Sequence, residues 1–302
     1  MLNFQPIELK DKPVFDKYFR QRRYEGSENT FTNLFIWREC YKIQWAIVED
    51  FLCIKPQLDN LHFVLPPYGL TDNGIERALN KLMDYFALNG FPFQMRGISP
   101  EMKGVLERIY PGKFSFKEER DVFDYVYLIE DLISLKGRKY HRKRNHLKKF
   151  KKMYPHYQYV PLTEELIKPC IINLKEWCLK KGCEEDKSLL CERDAIISAF
   201  ENFSELDYIG GVILIDGNVE AFTFGEALNE DTVLIHAEKA NVDITGIYQV
   251  INQEFLKNNW QHMKYVNREE DLGIEGLRKA KLSYFPVNLV IKYSAVLKNE
   301  VK

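Results

Sequence analysis

Gly211-Val212-Ile213-Leu214-Ile215-Asp216-Gly217-Asn218-Val219-Glu220-Ala221-Phe222-Thr223-Phe224 is two apolar runs joined by a short polar turn. Asp-Gly between β-branched and aromatic runs is a strong hairpin signal, because both residues accept the positive φ that a tight turn needs. Working outward, Thr232–Ala237 reads as a third strand. Gly246–Trp260 then carries Ile247, Val250, Ile251, Phe255 and Leu256 at helical spacing. Lys264–Asn267 reads as a strand, 274–282 as a short helix and 287–296 as a closing strand. Between the last strand pair and that helix lies Asn267-Arg268-Glu269-Glu270-Asp271-Leu272-Gly273. A polar, Gly-punctuated turn after a strand is where α/β proteins place ligands.

The first half has the same element order. Phe4–Leu9 alternates like a strand, two helical stretches follow (Pro13–Arg20 and Thr32–Tyr41), and Gln44–Val48 and Phe51–Lys55 form a hairpin on Glu49-Asp50. A third strand, His62–Leu65, precedes an amphipathic helix over 75–88. Strand 93–98, helix 101–109 and closing strands 114–116 and 122–128 complete the half. Two halves with one order and little identity read as a diverged tandem duplication, residues 1–130 and 131–302. The expected class is α+β, with mixed sheets flanked by helices. Strand, two helices, hairpin, strand, helix, strand, helix, strand resembles the GNAT acyltransferase fold in each half.

Composition supports packed cores: 45% of residues are hydrophobic and 14% aromatic. The six cysteines lack CxxC spacing, which points to buried free thiols rather than a zinc site, and no metal is expected. Residues 1–12 carry four charges and no apolar core, unlike a signal peptide, and no apolar run is long enough to span a bilayer. The expectation is a cytoplasmic protein that can still touch a membrane surface.

The net charge of −1 conceals a basic segment. Residues 136–152 hold ten Lys or Arg and two His, with no acid between Asp131 and Glu164. The plain reading of such a run is a solvated helix with an apolar stripe of Leu135, Leu147 and Phe150. The functional reading is a cradle for tRNA or another polyanion, or for an anionic membrane surface. Arg138, Lys139, Arg142, Lys143, Arg144, Asn145 and His146 are the candidates.

Gly137-Arg138-Lys139-Tyr140-His141-Arg142-Lys143-Arg144-Asn145-His146, followed by the 267–273 turn and Gly276-Leu277-Arg278-Lys279-Ala280-Lys281, resembles the DUF2156 family. That family is related to the C-terminal domain of phosphatidylglycerol lysyltransferases and to Fem-type aminoacyl transferases. The resemblance implies tandem GNAT-like domains and transfer of an acyl or aminoacyl group, with aminoacyl-tRNA as the donor in the best understood relatives. Acyl-CoA-using GNAT enzymes hold pyrophosphate on a Gly-rich loop at a helix N-terminus. The matching Asp243-Ile244-Thr245-Gly246-Ile247-Tyr248 keeps one glycine and adds Asp243 and the bulky Tyr248. Its counterpart in the first half, Thr71-Asp72-Asn73-Gly74, is no better suited. Acetyl-CoA is therefore the weaker donor and aminoacyl-tRNA the compatible one.

Transfer from an ester needs a base and a stabilised oxyanion. Glu238, past the third strand, is the candidate base, with His236 beside it. Asn267 is a candidate oxyanion donor, Glu270 a further carboxylate and Tyr284 a phenolic donor to the leaving group. Arg278 and Lys281, three apart on one helix face, suit a phosphate or a pairing with Glu270. Each of these also has an ordinary structural reading, as a turn, cap or packed polar residue. The acyl or aminoacyl acceptor is an amine or hydroxyl of a lipid headgroup, peptide or small molecule. The rival readings are an acetyl-CoA-dependent N-acetyltransferase and a non-catalytic RNA- or membrane-surface-binding module.

Overall fold

A computed structural model describes residues 2–69 and 72–298; Thr71 of the first-half loop lies outside them. The chain forms two compact units. The second comprises Tyr125–Glu269 and Glu275–Leu289; the first comprises the residues up to Asp124, Glu270–Ile274 and the residues from Val290 onward.

The second unit is built on a seven-stranded sheet. Its order is Asn288–Val290, Asp124–Leu128, Tyr265–Asn267, Thr232–Ala240, Asn218–Ala227, Ile209–Ile215 and Gln158–Pro161. Asp216 and Gly217 both take positive φ (51° and 82°) and leave Ile215 opposite Asn218, so the hairpin is the tight two-residue turn its sequence calls for. Ile213, Ile215, Ala221 and Ala240 point to a face covered by Ile247, Val250 and Ile251 of helix Ile247–Phe255. Leu147 and Phe150 of helix His141–Met153 pack on the same face. Phe222 and Phe224 point the other way, against Phe200 of helix Lys187–Glu201. With both faces covered, the central strands are near-continuous apolar runs. Each fully buried large side chain contributes about 1.5–3 kcal/mol.

The first unit has smaller sheets. Gln5–Pro6, Gln44–Val48 and Phe51–Lys55 form one small sheet, with Glu49 and Asp50 at positive φ in the turn. Gln94–Ile98, Tyr293–Leu297 and Phe114–Glu118 form another. The expected third strand, His62–Leu65, shortens to Leu61–His62, paired with Gln57–Leu58, and a single bridge from Val64 to Met95. Helix Asp72–Leu88 buries Ile75, Ala78, Leu79, Leu82 and Phe86 in a core shared with Met95, Ile98, Leu106 and Ala295.

Three element readings are corrected. The strand expected over 287–296 is two strands, Asn288–Val290 in the second sheet and Tyr293–Leu297 in the first unit. The strand expected to close the first half, now Asp124–Leu128, pairs with Tyr265–Asn267 in the second sheet. The seven-stranded sheet and the sheet of Gln94–Ile98 and Phe114–Glu118 thus each take one strand from the other half of the sequence. The basic helix begins at His141 rather than Leu135, because Leu135 and Gly137 adopt positive φ (47° and 87°) that no helix can continue through.

Lys292 and Asp124 stand at these two crossing points, in the first unit. The buried Lys292 Nζ donates to Asp124 Oδ1 (2.9 Å), Glu28 Oε2 (2.7 Å) and Ser27 Oγ (3.3 Å). Ser27 N donates to Asp124 Oδ2 (2.7 Å). Burial alone would lower the lysine pKa, but Asp124, Glu28 and Glu270 raise it well above its ordinary value. Cys53, Cys170, Cys178 and Cys183 are buried free thiols, as expected; Cys40 and Cys191 are disulfide-bonded, which corrects that expectation for these two. Among the described residues no helix is long and apolar enough to cross a membrane.

Candidate active site

Thr232–Ala240 and Tyr265–Asn267 run parallel but pair only over Thr232–Leu234 and Tyr265–Asn267. Just beyond, Phe224 lies opposite Ala237 and Gly225 opposite Ile235, so His236 is an extra residue in its strand. The bulge brings the Leu234 carbonyl so close to Gly225 that a Cβ there would collide with it. Parallel strands that part company beyond a bulge leave a wedge. Side chains from both strands, from helix Ile247–Phe255, from the basic helix and from Tyr284 converge in it.

Glu238 accepts from Arg268 Nη2 at 3.0 Å and from Asn252 Nδ2 at 3.2 Å, so both its oxygens are engaged. The Arg268 guanidinium lies 5.1 Å from the Tyr284 ring centre and 5.8 Å from that of Tyr127. Gln249 and Arg268 hydrogen-bond to Tyr284. Lys143 reaches the same ring from the basic helix, its Nζ 3.7 Å from the centroid. Both cations therefore lie against one aromatic ring, an arrangement worth more once desolvated. Burial pushes the Tyr284 phenol up to about 12, against an opposing pull from Arg268. Burial and, after it, the Arg268 charge bring Lys143 down to about 8, with Glu238 partly opposing. At neutral pH the wedge thus holds a protonated phenol and an ammonium close to losing its proton.

Beside the wedge, His236 Nε2 is 2.8 Å from Glu226 Oε1 and Nδ1 is 3.6 Å from Glu269 Oε1. Burial would lower its pKa, but hydrogen bonding to Glu226 and then Glu269 raises it to about 9. It is an imidazolium between two carboxylates, holding the strand end that carries Arg268.

The other sequence candidates separate. Asn267 is fully buried and its side-chain oxygen accepts from Glu269 N (2.8 Å), closing the turn. Glu270 belongs to the first unit, where its charge acts on Lys292. Lys281 Nζ donates to the carbonyls of Arg268 and, at 3.1 Å, Glu269, so it holds the turn. Arg278 is half-buried on the same helix. Arg144 donates to the carbonyls of Leu135 and Gly137, an anchor for the loop before its own helix. Arg138, Arg142, Asn145 and His146 are exposed; Lys139, also exposed, pairs with Asp131 at 3.3 Å.

Lys143's inward turn, Arg268, Gln249 and Asn252 escaped the sequence reading. Asn252 carried one available signal: a polar residue on the apolar side of an amphipathic helix, which is informative when buried. Lys143 carried none, being one cation among ten.

At the N-terminus of helix Ile247–Phe255, Gly246 takes φ 92°, and a Cβ there would lie 2.6 Å from the His146 carbonyl oxygen. The backbone of the basic helix therefore sits against the place where an acyl-CoA enzyme would seat pyrophosphate. Tyr248 accepts from Trp177 Nε1 (3.0 Å), and Lys180 binds both Asp243 (2.5 Å) and Asn241 (3.1 Å), which cross-links the loop.

A family model described as phosphatidylglycerol lysyltransferase, C-terminal, matches residues 19–296. The chain belongs to this family. Its architecture is correspondingly close to a conserved protein of unknown function from Bacteroides thetaiotaomicron, 39% identical over 99% of this chain and 100% of that one, TM-score 0.92. The L-PGS structure from Bacillus licheniformis shares the fold at 14% identity, covering 96% and 93%, TM-score 0.67. A tandem GNAT protein from the clavulanic acid biosynthesis pathway shares it at 8% identity, covering 98% of each chain, TM-score 0.53. No curated protein matches the sequence. This member of the lysyltransferase C-terminal family is thus an α+β protein of two tandem GNAT-like units, and its enzyme class is acyl or aminoacyl transfer.

Proposed function

We propose that this protein moves an aminoacyl group from the ester of an aminoacyl-tRNA to a hydroxyl or amine of an acceptor, an anionic lipid headgroup first among them. The observation that carries this reading is the position of one helix, His141–Met153. Its backbone covers Gly246, which disfavours a CoA pyrophosphate, while its exposed cations suit tRNA phosphates and its Lys143 reaches the wedge. In this reading Arg268, aligned by Glu238, and the protonated Tyr284 stabilise the oxyanion formed when the acceptor attacks the ester. In this reading the protein works from the cytoplasm on the inner leaflet of a membrane.

The test is transfer of radiolabel from a panel of charged tRNAs to phosphatidylglycerol vesicles, followed by organic extraction. Label in the lipid phase for one or a few amino acids is the expected result. Micromolar acetyl-CoA binding by calorimetry, with no transfer from tRNA, would replace this reading with an N-acetyltransferase. Absence of both activities, with tRNA or vesicle binding retained, would leave a binding module.

A further inference from the structure

The geometry points to Lys143 as the general base of the transfer reaction, the group that takes the proton from the attacking acceptor. This rests on the aminoacyl-transfer reading and gives to another residue the role first expected of Glu238. Glu238 has one oxygen on Arg268 at 3.0 Å and the other on Asn252 at 3.2 Å, which suits it to aligning the guanidinium. His236 is fully buried between Glu226 and Glu269 and is already protonated at neutral pH. Asn267 cannot accept a proton, and Glu270 belongs to the first unit.

Lys143 differs from every other cation of its helix. Arg142, Lys148, Lys149 and Lys152 are exposed, Arg144 is spent on two carbonyls, and Lys151 pairs with Glu254. Lys143 is turned inward, and its Nζ meets the face of Tyr284 instead of a carboxylate. The charged and titratable groups around it are Arg268 and Tyr284, then Glu238 and, through Arg268, Tyr127. The charge that acts on it most strongly, Arg268, is positive, and the one carboxylate, Glu238, is paired with that guanidinium. Burial and the Arg268 charge outweigh the hold of the ring on the ammonium, so it gives up its proton more readily than an exposed lysine, and the amine is a base matched to a reaction near neutral pH. Its position on the covering helix puts it beside Tyr284 and Arg268, the donors that would face the oxyanion.

The step balances. The neutral Lys143 amine accepts the acceptor's O–H or N–H proton as the acceptor atom bonds to the ester carbonyl carbon. Arg268 and Tyr284 hold the resulting oxyanion. The bond from that carbon to the ribose oxygen then breaks, and the ribose oxygen takes the proton back from the Lys143 ammonium. Lys143 is unchanged at the end.

Two measurements test this. In protein with 13C-labelled lysine, the side-chain resonance of Lys143, assigned with Lys143→Arg, should titrate near pH 8, far below the exposed lysines, whether or not any substrate is present. Lys143→Arg keeps a cation on the Tyr284 ring but cannot act as a base. With labelled aminoacyl-tRNA and vesicles it should lose about 10²–10⁴-fold in kcat with little change in tRNA KM, and the alkaline rise of the pH–rate profile near pH 8 should vanish. A cation that only binds phosphate would instead raise KM in the neutral variant Lys143→Gln and survive as arginine. A Lys143 that titrates with the exposed lysines, or an arginine variant that keeps kcat, overturns the base alone. A wild-type protein that transfers nothing from any charged tRNA overturns the functional reading and the base with it.

Discussion

His236 is an imidazolium that folding creates. Its folded pKa, about 9, lies above its ordinary value because two carboxylates face it and outweigh the effect of its burial. The sign follows: the stabilising contribution is complete below about pH 6.5 and is lost as pH rises through 9. The loss amounts to on the order of 3 kcal/mol at full deprotonation. Lys143 acts oppositely, since its lowered pKa makes the folded state more stable as pH rises from about 8 toward 10.5. Urea titrations of Lys143→Met, which lacks that second contribution, should therefore show stability falling from pH 6.5 to 9. The double variant His236→Gln, Lys143→Met should show a flatter curve. A curve for Lys143→Met that is itself flat across this window would mean that His236 is neutral in the folded protein.

The basic helix is the element on which the site depends, and a single glycine sets how it packs. At Gly246 an alanine would place its Cβ against the His146 carbonyl and 3.2 Å from Phe150 Cβ, at a φ that side chains resist. Gly246→Ala should cost about 1–3 kcal/mol in urea denaturation, by strain plus overpacking, and should move Lys143 relative to Tyr284, so transfer should fall as well. A neutral effect on both would mean that the helix is free to shift. Much of this level was legible in the sequence. The Asp216-Gly217 hairpin, the helix after the third strand and the strand that ends at Asn267 all follow from local pattern. The wedge's occupants did not follow, because their selection is tertiary: Lys143 and Lys149 look alike until a fold turns one inward. The turn 267–271 concentrates charge, yet its residues divide between the two units, a division that no spacing rule reveals.

At the scale of the whole molecule, a net charge of −1 coexists with a basic segment that presents Arg138, Lys139 and Arg142 to solvent. Binding of tRNA should weaken with salt, log K falling by about 0.7–0.9 per phosphate neutralised for each log unit of salt. Replacing these three residues with alanine should flatten the slope by roughly two to three units without altering the urea midpoint, because exposed charges contribute less than about 1 kcal/mol each. An unchanged slope would remove the polyanion cradle. Lys292 is the opposite kind of cation. Lys292→Met leaves Asp124 and Glu28 without their counter-charge, and should cost about 3–5 kcal/mol, read as a lower urea midpoint; a midpoint unchanged would show that the buried carboxylates find other partners.

The exchange of strands also has a consequence for how the protein comes into being. While the chain is being synthesised, Gln94–Ile98 and Phe114–Glu118 emerge early, but the strand that separates them, Tyr293–Leu297, is made roughly 200 residues later. At about 5–20 residues per second the gap stays open for on the order of ten seconds or more. Until then the nascent first half shows two open strand edges, which are templates for pairing with a neighbouring chain. The first half of the gene expressed alone should therefore aggregate, and adding a peptide of residues 290–298 in trans should lessen it. Ribosome pauses ahead of the last strand would be costly for this protein, and a chaperone that holds nascent chains should raise its yield more than one that acts after release.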